Sequence, residues 1–143
     1  MIRLRNHLSN VGLPYAIALA DIDRFKKIND KHGHDVGDQA LRFTASQLSR
    51  ASAGTVYRYG GEEFVIIMAN TSLRAAFDKA SELVAEVRGM PIVHDGLELT
   101  GVTLSVGVSS WPECAEAPDS LLGHADRALY RAKEAGRDRG EVN

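Results

Sequence analysis

TVYRYGGEEFVIIMA, residues 55 to 69, sets two short runs of branched and aromatic residues on either side of the tetrapeptide GGEE. Runs of that composition predict β-strands, and the glycines between them mark the bend of a hairpin. Folding propensity gives no reason for the rest of the arrangement: glycine weakens a strand, and adjacent glutamates repel each other.

PYAIALADID (14 to 23) is an apolar run bounded by Gly12 and Pro14 on one side and by charge on the other, so a buried strand with an acidic end is predicted. DVGDQALRFTASQLSRAS (35 to 52) spaces Leu41, Ala45, Leu48 and Ala51 as one face of an amphipathic helix. SLRAAFDKASELVAEVR (72 to 88) follows a Thr71/Ser72 cap, turns Ala76, Ala80, Leu83 and Val87 inward, and ends at Gly89 and Pro91. An Asp95-Gly96 turn and a long alternating strand come next. A last helix spans 118 to 137 with Leu121, Leu122, Ala125, Leu129 and Ala132 inward. The order strand, helix, hairpin, helix, strands, helix predicts an α/β (α+β) fold. A mostly antiparallel central sheet would carry helices packed on it, in a layout related to the split βαβ unit.

The 143 residues are 44% hydrophobic and 25% charged, which suits one domain with a real core and no internal repeat. A net charge of -2 offers no basic field for nucleic acid, so any anionic ligand must be held by local groups. The lone cysteine, Cys114, cannot form an internal disulfide, and no apolar run approaches the roughly 20 residues of a membrane span. A cytoplasmic setting is expected. Residues 1 to 12 read as the remnant of an N-terminal helix or linker, trimmed from a longer protein.

Asp21 and Asp23 end the first strand, and Glu62 and Glu63 sit at the hairpin tip. If the two strands are neighbours, the carboxylates converge on one sheet edge and call for a cation. Hard oxygen ligands that leave room for water and phosphate suit magnesium, or manganese in its place. Gly60 and Gly61 would then let a phosphate or ribose approach bare backbone.

The motifs DIDRFKKINDKHGHDVGDQAL, RYGGEEF, VTLSVGV and HADRALYRAKEAGRD, in that order from about Tyr15 to Arg137, resemble the GGDEF family of diguanylate cyclases in its GGEEF variant. The resemblance implies a fold similar to the palm of nucleotide cyclases and polymerases. It implies condensation of two GTP into cyclic di-GMP with loss of two pyrophosphates, by two copies of the domain facing each other. It also implies an upstream sensory or receiver module. By the same resemblance, Asp21 and Glu62 would bind the metal through carboxylates and Ile22 through its carbonyl. Glu62 is also the usual candidate for proton acceptor from the 3′-hydroxyl, and Glu63 a ligand of a second ion. Phe25 and Lys26 would offer backbone N–H groups to the phosphates, with the Lys26 ammonium offsetting developing charge. Asn29, His34 and Asp38 fall on guanine and ribose positions, a carboxylate being able to accept from guanine N1 and N2 together. His34 could equally tie its loop to the next helix, and Asp23 could cap a turn. Lys133 and Arg137, four apart on the last predicted helix, would share a face and grip the outer phosphates. Asp126 would orient Lys133 or Arg58.

The resemblance fails at the R-x-x-D positions, where many family members bind inhibitory product; here they hold Ala51 and Gly54, with Arg50 one residue out of register. His124 and Asp138 replace a common arginine and asparagine, and the LTGLxNR opening survives only as RLRNHL. The expected activity is diguanylate cyclase. A GTP-binding regulatory domain without turnover is the alternative, and a product-binding effector is disfavoured by Ala51 and Gly54.

Overall fold

The computed structural model describes residues 15–52, 54–114 and 117–143. The segment 1 to 12 lies outside them. In chain order the elements are β1 (Tyr15–Ile22), α1 (Phe25–His32), α2 (His34–Ala51), β2 (Thr55–Arg58), β3 (Glu63–Ala69), α3 (Leu73–Gly89), β4 (Ile92–His94), β5 (Leu97–Leu99), β6 (Leu104–Trp111), α4 (Leu121–Glu134) and β7 (Arg139–Val142), with a 3₁₀ turn at Pro118–Ser120.

All eight residues of β1 are buried because it is the middle strand of five, in the order β2-β3-β1-β6-β7. Its pairings with β3 and β6 are antiparallel, as is β2 with β3, and only β6 with β7 is parallel. Helices cover both faces, which is why this strand reads as continuous apolar sequence. Ala16, Ala18, Ala20 and Ile22 face a core shared with Val36, Ala40 and Leu48 of α2 and Ala76, Ala80 and Leu83 of α3. Tyr15, Ile17 and Leu19 join Val65 and Ile67 of β3 against Leu121, Leu122, Ala125 and Leu129 of α4. The second face is narrow at β6. A Cβ added to Gly107 would overlap the Ala125 carbonyl oxygen and the Leu129 amide nitrogen, so α4 lies with its backbone directly on the strand.

Ser72 caps α3 by accepting the Ala75 amide at 3.1 Å, and the inward residues of all three predicted helices are buried or half-buried. Asp95 and Gly96 form the expected turn, both with positive φ (49° and 79°), but it joins a separate two-stranded sheet, β4-β5. Four expectations change. The stretch 25–32, left outside every predicted element, is helix α1. It buries no residue, so no apolar face announced it. The strand β7 was not predicted at all. Trp111, outside every predicted element, ends β6, while Cys114 lies in the turn after it. Finally, α4 stops at Glu134 instead of continuing to 137.

Candidate active site

The β1–β3 register pairs Asp21 directly with Glu63, and the Ile22 amide donates to the Glu62 carbonyl at 3.4 Å. The two acidic strand ends are therefore neighbours, as the carboxylate pattern requires. Alternation along β1 and β3 puts Asp21 and Glu63 on the face shared by Leu19 and Val65, beneath α4. Lys133, near the end of α4, reaches down from there and donates to Asp21 Oδ2. The other carboxylate oxygen of Asp21 is buried with no partner, although the residue is only 3% exposed.

Burial raises the pKa of Asp21. Lys133 and Arg137 oppose that shift, and the charge of Asp23 adds to it. Glu62 and Glu63 are raised too, first by burial and then by the charge of Asp21. Three carboxylates that disfavour one another's ionisation, one of them with an orphaned buried oxygen, fit a divalent cation. Among the described residues no three His, Cys, Asp or Glu side chains form a complete metal cage. The donor set, two or three carboxylates plus a backbone carbonyl, instead suits an ion that keeps water and phosphate ligands.

The hairpin tip answers its own puzzle. Neither Gly60 nor Gly61 has a left-handed φ, a Cβ on Gly61 would meet nothing, and one on Gly60 would make only ordinary contact with Glu63 at 3.5 Å. Neither backbone conformation nor packing demands glycine at these two positions, so the open approach is free for a ligand. The tip is tied from behind by Arg58, whose guanidinium donates to the Gly60 and Gly61 carbonyls at 3.3 and 2.7 Å. Sequence reading missed that role, although the arginine's adjacency to GGEE was its signal. Asp126 does not take the expected part. Lys133 turns to Asp21, Arg58 turns to the tip, and the exposed Asp126 acts by raising Glu63 further.

Opposite the tip, Phe25 and Lys26 open α1 after Arg24, which adopts a left-handed φ of 55° and supplies no side-chain cap. The first N–H groups of a helix have no intrahelical acceptor, so they remain available to an anion. Lys26 is exposed. Asn29 lies against Gly37 of α2, where a Cβ would overlap its Oδ1 and crowd the Phe25 ring at 3.3 Å; that Oδ1 is buried and unpartnered. Phe25, Asn29 and the Gly37-Asp38 turn of α2 are thus brought together. Asp38 itself is exposed and lines a cleft of about 330 Å³ with Leu41, Arg42, Arg58 and Phe64. His34 starts α2 and points to solvent.

Arg137 is not on the helix. Ala135 caps α4, the Gly136 amide donates to the Lys133 carbonyl at 3.4 Å and the Arg137 amide to the Ala132 carbonyl at 2.9 Å, which is a Schellman ending. The shared-face argument for Lys133 and Arg137 therefore fails. Arg137 still lies near the acidic site, since its charge lowers Asp21.

The chain matches the family "Diguanylate cyclase, GGDEF domain" over residues 2–139. It is 44% identical over 130 residues to the response regulator PleD of Caulobacter vibrioides, covering 89% of this chain and 29% of that protein. Diguanylate cyclase A of Treponema denticola is 41% identical over 126 residues, covering 87% of this chain and 34% of that protein. The chain thus spans about a third or less of these relatives. Among solved structures it is similar to the GGDEF domain of DgcB from Caulobacter crescentus in complex with c-di-GMP, with a TM-score of 0.89 at 32% identity over 99% of this chain and 86% of that one. It is also similar to the active GGEEF domain of a diguanylate cyclase from Vibrio cholerae, with a TM-score of 0.82, 32% identity and coverage of 96% and 87%. With its acidic hairpin, its palm-like sheet and these matches, the chain belongs to the GGDEF-domain family of diguanylate cyclases.

Proposed function

We propose that this domain condenses two GTP molecules into cyclic di-GMP, each of two facing copies holding one nucleotide. The observation that carries the reading is the convergence of Asp21, Glu62 and Glu63 under Lys133, beside a glycine tip that packing leaves open. Asp21, Glu62 and the Ile22 carbonyl would hold Mg²⁺ or Mn²⁺, with Glu63 toward a second ion. A bound ion of this kind neutralises phosphate oxygens and acidifies an attacking hydroxyl.

The chain's own groups do the remaining work. The N–H groups of Phe25 and Lys26 hold phosphate oxygens, and the Lys26 ammonium offsets charge developing in the transition state. Lys133 and Arg137 hold the outer phosphates, which lets Lys133 exchange one anionic partner, Asp21, for another. Glu62 accepts the proton of the 3′-hydroxyl. Asn29 and Asp38 read the guanine, and His34 borders the ribose.

Incubation of the protein with GTP and Mg²⁺, with products separated by chromatography, tests this. Cyclic di-GMP and pyrophosphate are expected in a ratio of one to two, at a rate per mole of protein that rises with protein concentration. Bound but unconverted GTP at every concentration would leave only a nucleotide-binding regulatory domain. PleD is named a response regulator and this chain spans 29% of it, which supports an upstream receiver or sensory module that pairs two copies. The same reading sets the activity in the cytoplasm. No helix among the described residues is long and apolar enough to cross a membrane.

Base reading has its own test. Asp38→Ala is expected to weaken a nonhydrolysable GTP analogue about 10- to 100-fold, the size of one or two charge-assisted hydrogen bonds, and the matching ATP analogue hardly at all. Equal losses in calorimetry would remove Asp38 from the base. Product inhibition at R-x-x-D is expected to be absent. Ala51 has no charge to offer, and a side chain at position 54 would meet the Ile67 carbonyl oxygen at 2.7 Å, so the backbone there is packed too closely for an aspartate. Cyclic di-GMP titrated into protein whose active site is filled by the GTP analogue is expected to bind no tighter than about 10 μM. Submicromolar binding would show that other arginines rebuild the site.

A further inference from the structure

Asp23 lies beside the site and has no part in the chemistry above, yet it is only 7% exposed. Its Oδ1 accepts the Ser105 hydroxyl at 2.6 Å, and its Oδ2 accepts both the Thr103 hydroxyl at 2.7 Å and the Asp138 backbone amide at 3.0 Å. Its own amide donates to the Thr103 carbonyl at 2.9 Å. A carboxylate has about four lone-pair sites, and three are used here, whereas Asp21 keeps an unpartnered oxygen. Asp23 is built to hold protein, not metal.

The segment it holds is costly in backbone conformation. Gly136, Arg137 and Asp138 have φ of 123°, 65° and 51° in succession, and two of the three carry a Cβ. Such conformations persist only where the surroundings over-determine them. The surroundings are visible: the Schellman bonds fix Gly136 and Arg137, Asp23 takes the Asp138 amide from below, and Arg88 of α3 donates its Nε to both Asp138 carboxylate oxygens at 3.0 and 2.9 Å. Asp and Asn tolerate the left-handed region better than other residues with a Cβ, which explains why the aspartate at 138 is an acceptable departure. The turn is bonded on one side to the carbonyl of Lys133, whose side chain holds Asp21, and on the other to Asp23, two residues beyond Asp21, so it sits beside the acidic site.

We propose that Asp23 is a positioning residue that acts through Arg137, locking the left-handed turn 136–138 so that the guanidinium meets the outer phosphates of the nucleotide. The inference rests on the reading of Arg137 as a phosphate ligand. Asp23→Asn, Arg137→Ala and the double variant are compared in calorimetric titrations with a nonhydrolysable GTP analogue plus Mg²⁺, and with GMP. Each single variant is expected to lose about tenfold in affinity for the triphosphate and nothing for GMP, and the double variant to lose no more than Arg137→Ala alone. The Asp138 amide in Asp23→Asn is expected to exchange its hydrogen at least about tenfold faster. Additive losses, or a triphosphate affinity equal to wild type in Asp23→Asn, would overturn the role of Asp23 while leaving Arg137 in place. Mn²⁺ alone binding as weakly to Asp23→Asn as to Asp21→Asn would overturn it by making Asp23 a ligand. If Arg137→Ala does not separate triphosphate from GMP, the reading of Arg137 fails and the inference with it. Should Asp23→Asn not fold, Thr103→Val removes the hydroxyl that orients Oδ2. A few-fold loss confined to the triphosphate is expected, and no loss would overturn the proposal.

Discussion

Glu62→Gln is expected to abolish cyclic di-GMP formation, by about 10³-fold or more, with the fold intact. The change keeps the volume and removes one charge from the three carboxylates that fit the metal, together with the candidate proton acceptor. It should also leave the metal-free protein at least as heat-stable as wild type at pH 7. Burial and the charges of Asp21 and Glu63 raise the pKa of Glu62 in the folded state. A carboxyl raised by folding contributes stability while protonated and loses it as pH rises through the folded value, so at pH 7 the ionised glutamate opposes folding. The gap in Tm is expected to close as the pH falls below the ordinary glutamate value of 4.5, where the wild-type side chain is protonated in both states. Turnover within tenfold of wild type would remove Glu62 from the chemistry. A variant that melts lower than wild type at pH 7 without metal would contradict the electrostatic account.

The largest effect on stability is expected from Gly107→Ala. The added methyl would be driven into the Ala125 carbonyl and the Leu129 amide, and these are backbone atoms of α4 that no rotamer change can move aside. Overpacking of this kind costs about 3 kcal/mol at the upper end of its usual range, or about 10 °C in Tm for a chain this long. Because Lys133 lies on α4 and Arg137 hangs from its end, nucleotide affinity should fall with stability. Gly61→Ala is the control. Its Cβ meets nothing in the protein, so thermal melting should be unchanged within about 1 °C while catalysis falls, because only a ligand fills that space. A Gly107→Ala protein that melts with the wild type would mean that α4 is not held against β6 as described.

What could be read from the sequence was what local pattern encodes. The strand β1 is apolar from Tyr15 to Ala20 because both its faces are covered, and α2, α3 and α4 each carry an inward stripe of Leu and Ala, joined by Val in α2 and α3. The acidic tip stood out because GGEE contradicts strand propensity. Helix α1 stayed hidden because FKKINDKH turns only Phe25 and Ile28 toward the core and buries neither fully, and β7 because RGEV is a four-residue polar edge strand paired in parallel across a long connection. The position of Arg137 was misread because helical periodicity does not announce where a Schellman turn takes over. Asp23 was legible only as a strand-end carboxylate beside Asp21 or as a turn residue. Its hydroxyl partners lie 80 and 82 positions along the chain, a distance at which no local rule speaks.

The seven-position register from Tyr15↔Ala69 to Asp21↔Glu63 makes length, more than apolar composition, the inflexible property of this strand pair. Its apolar side chains can be exchanged one for another of similar size. Deleting or inserting a single residue between Glu63 and Ala69 would instead turn alternate positions through the sheet, carrying Glu63 away from Asp21 and Lys133 and putting Val65 and Ile67 on the wrong side. Drift in this domain is thus free to rewrite letters but not to shift the reading frame of the strand.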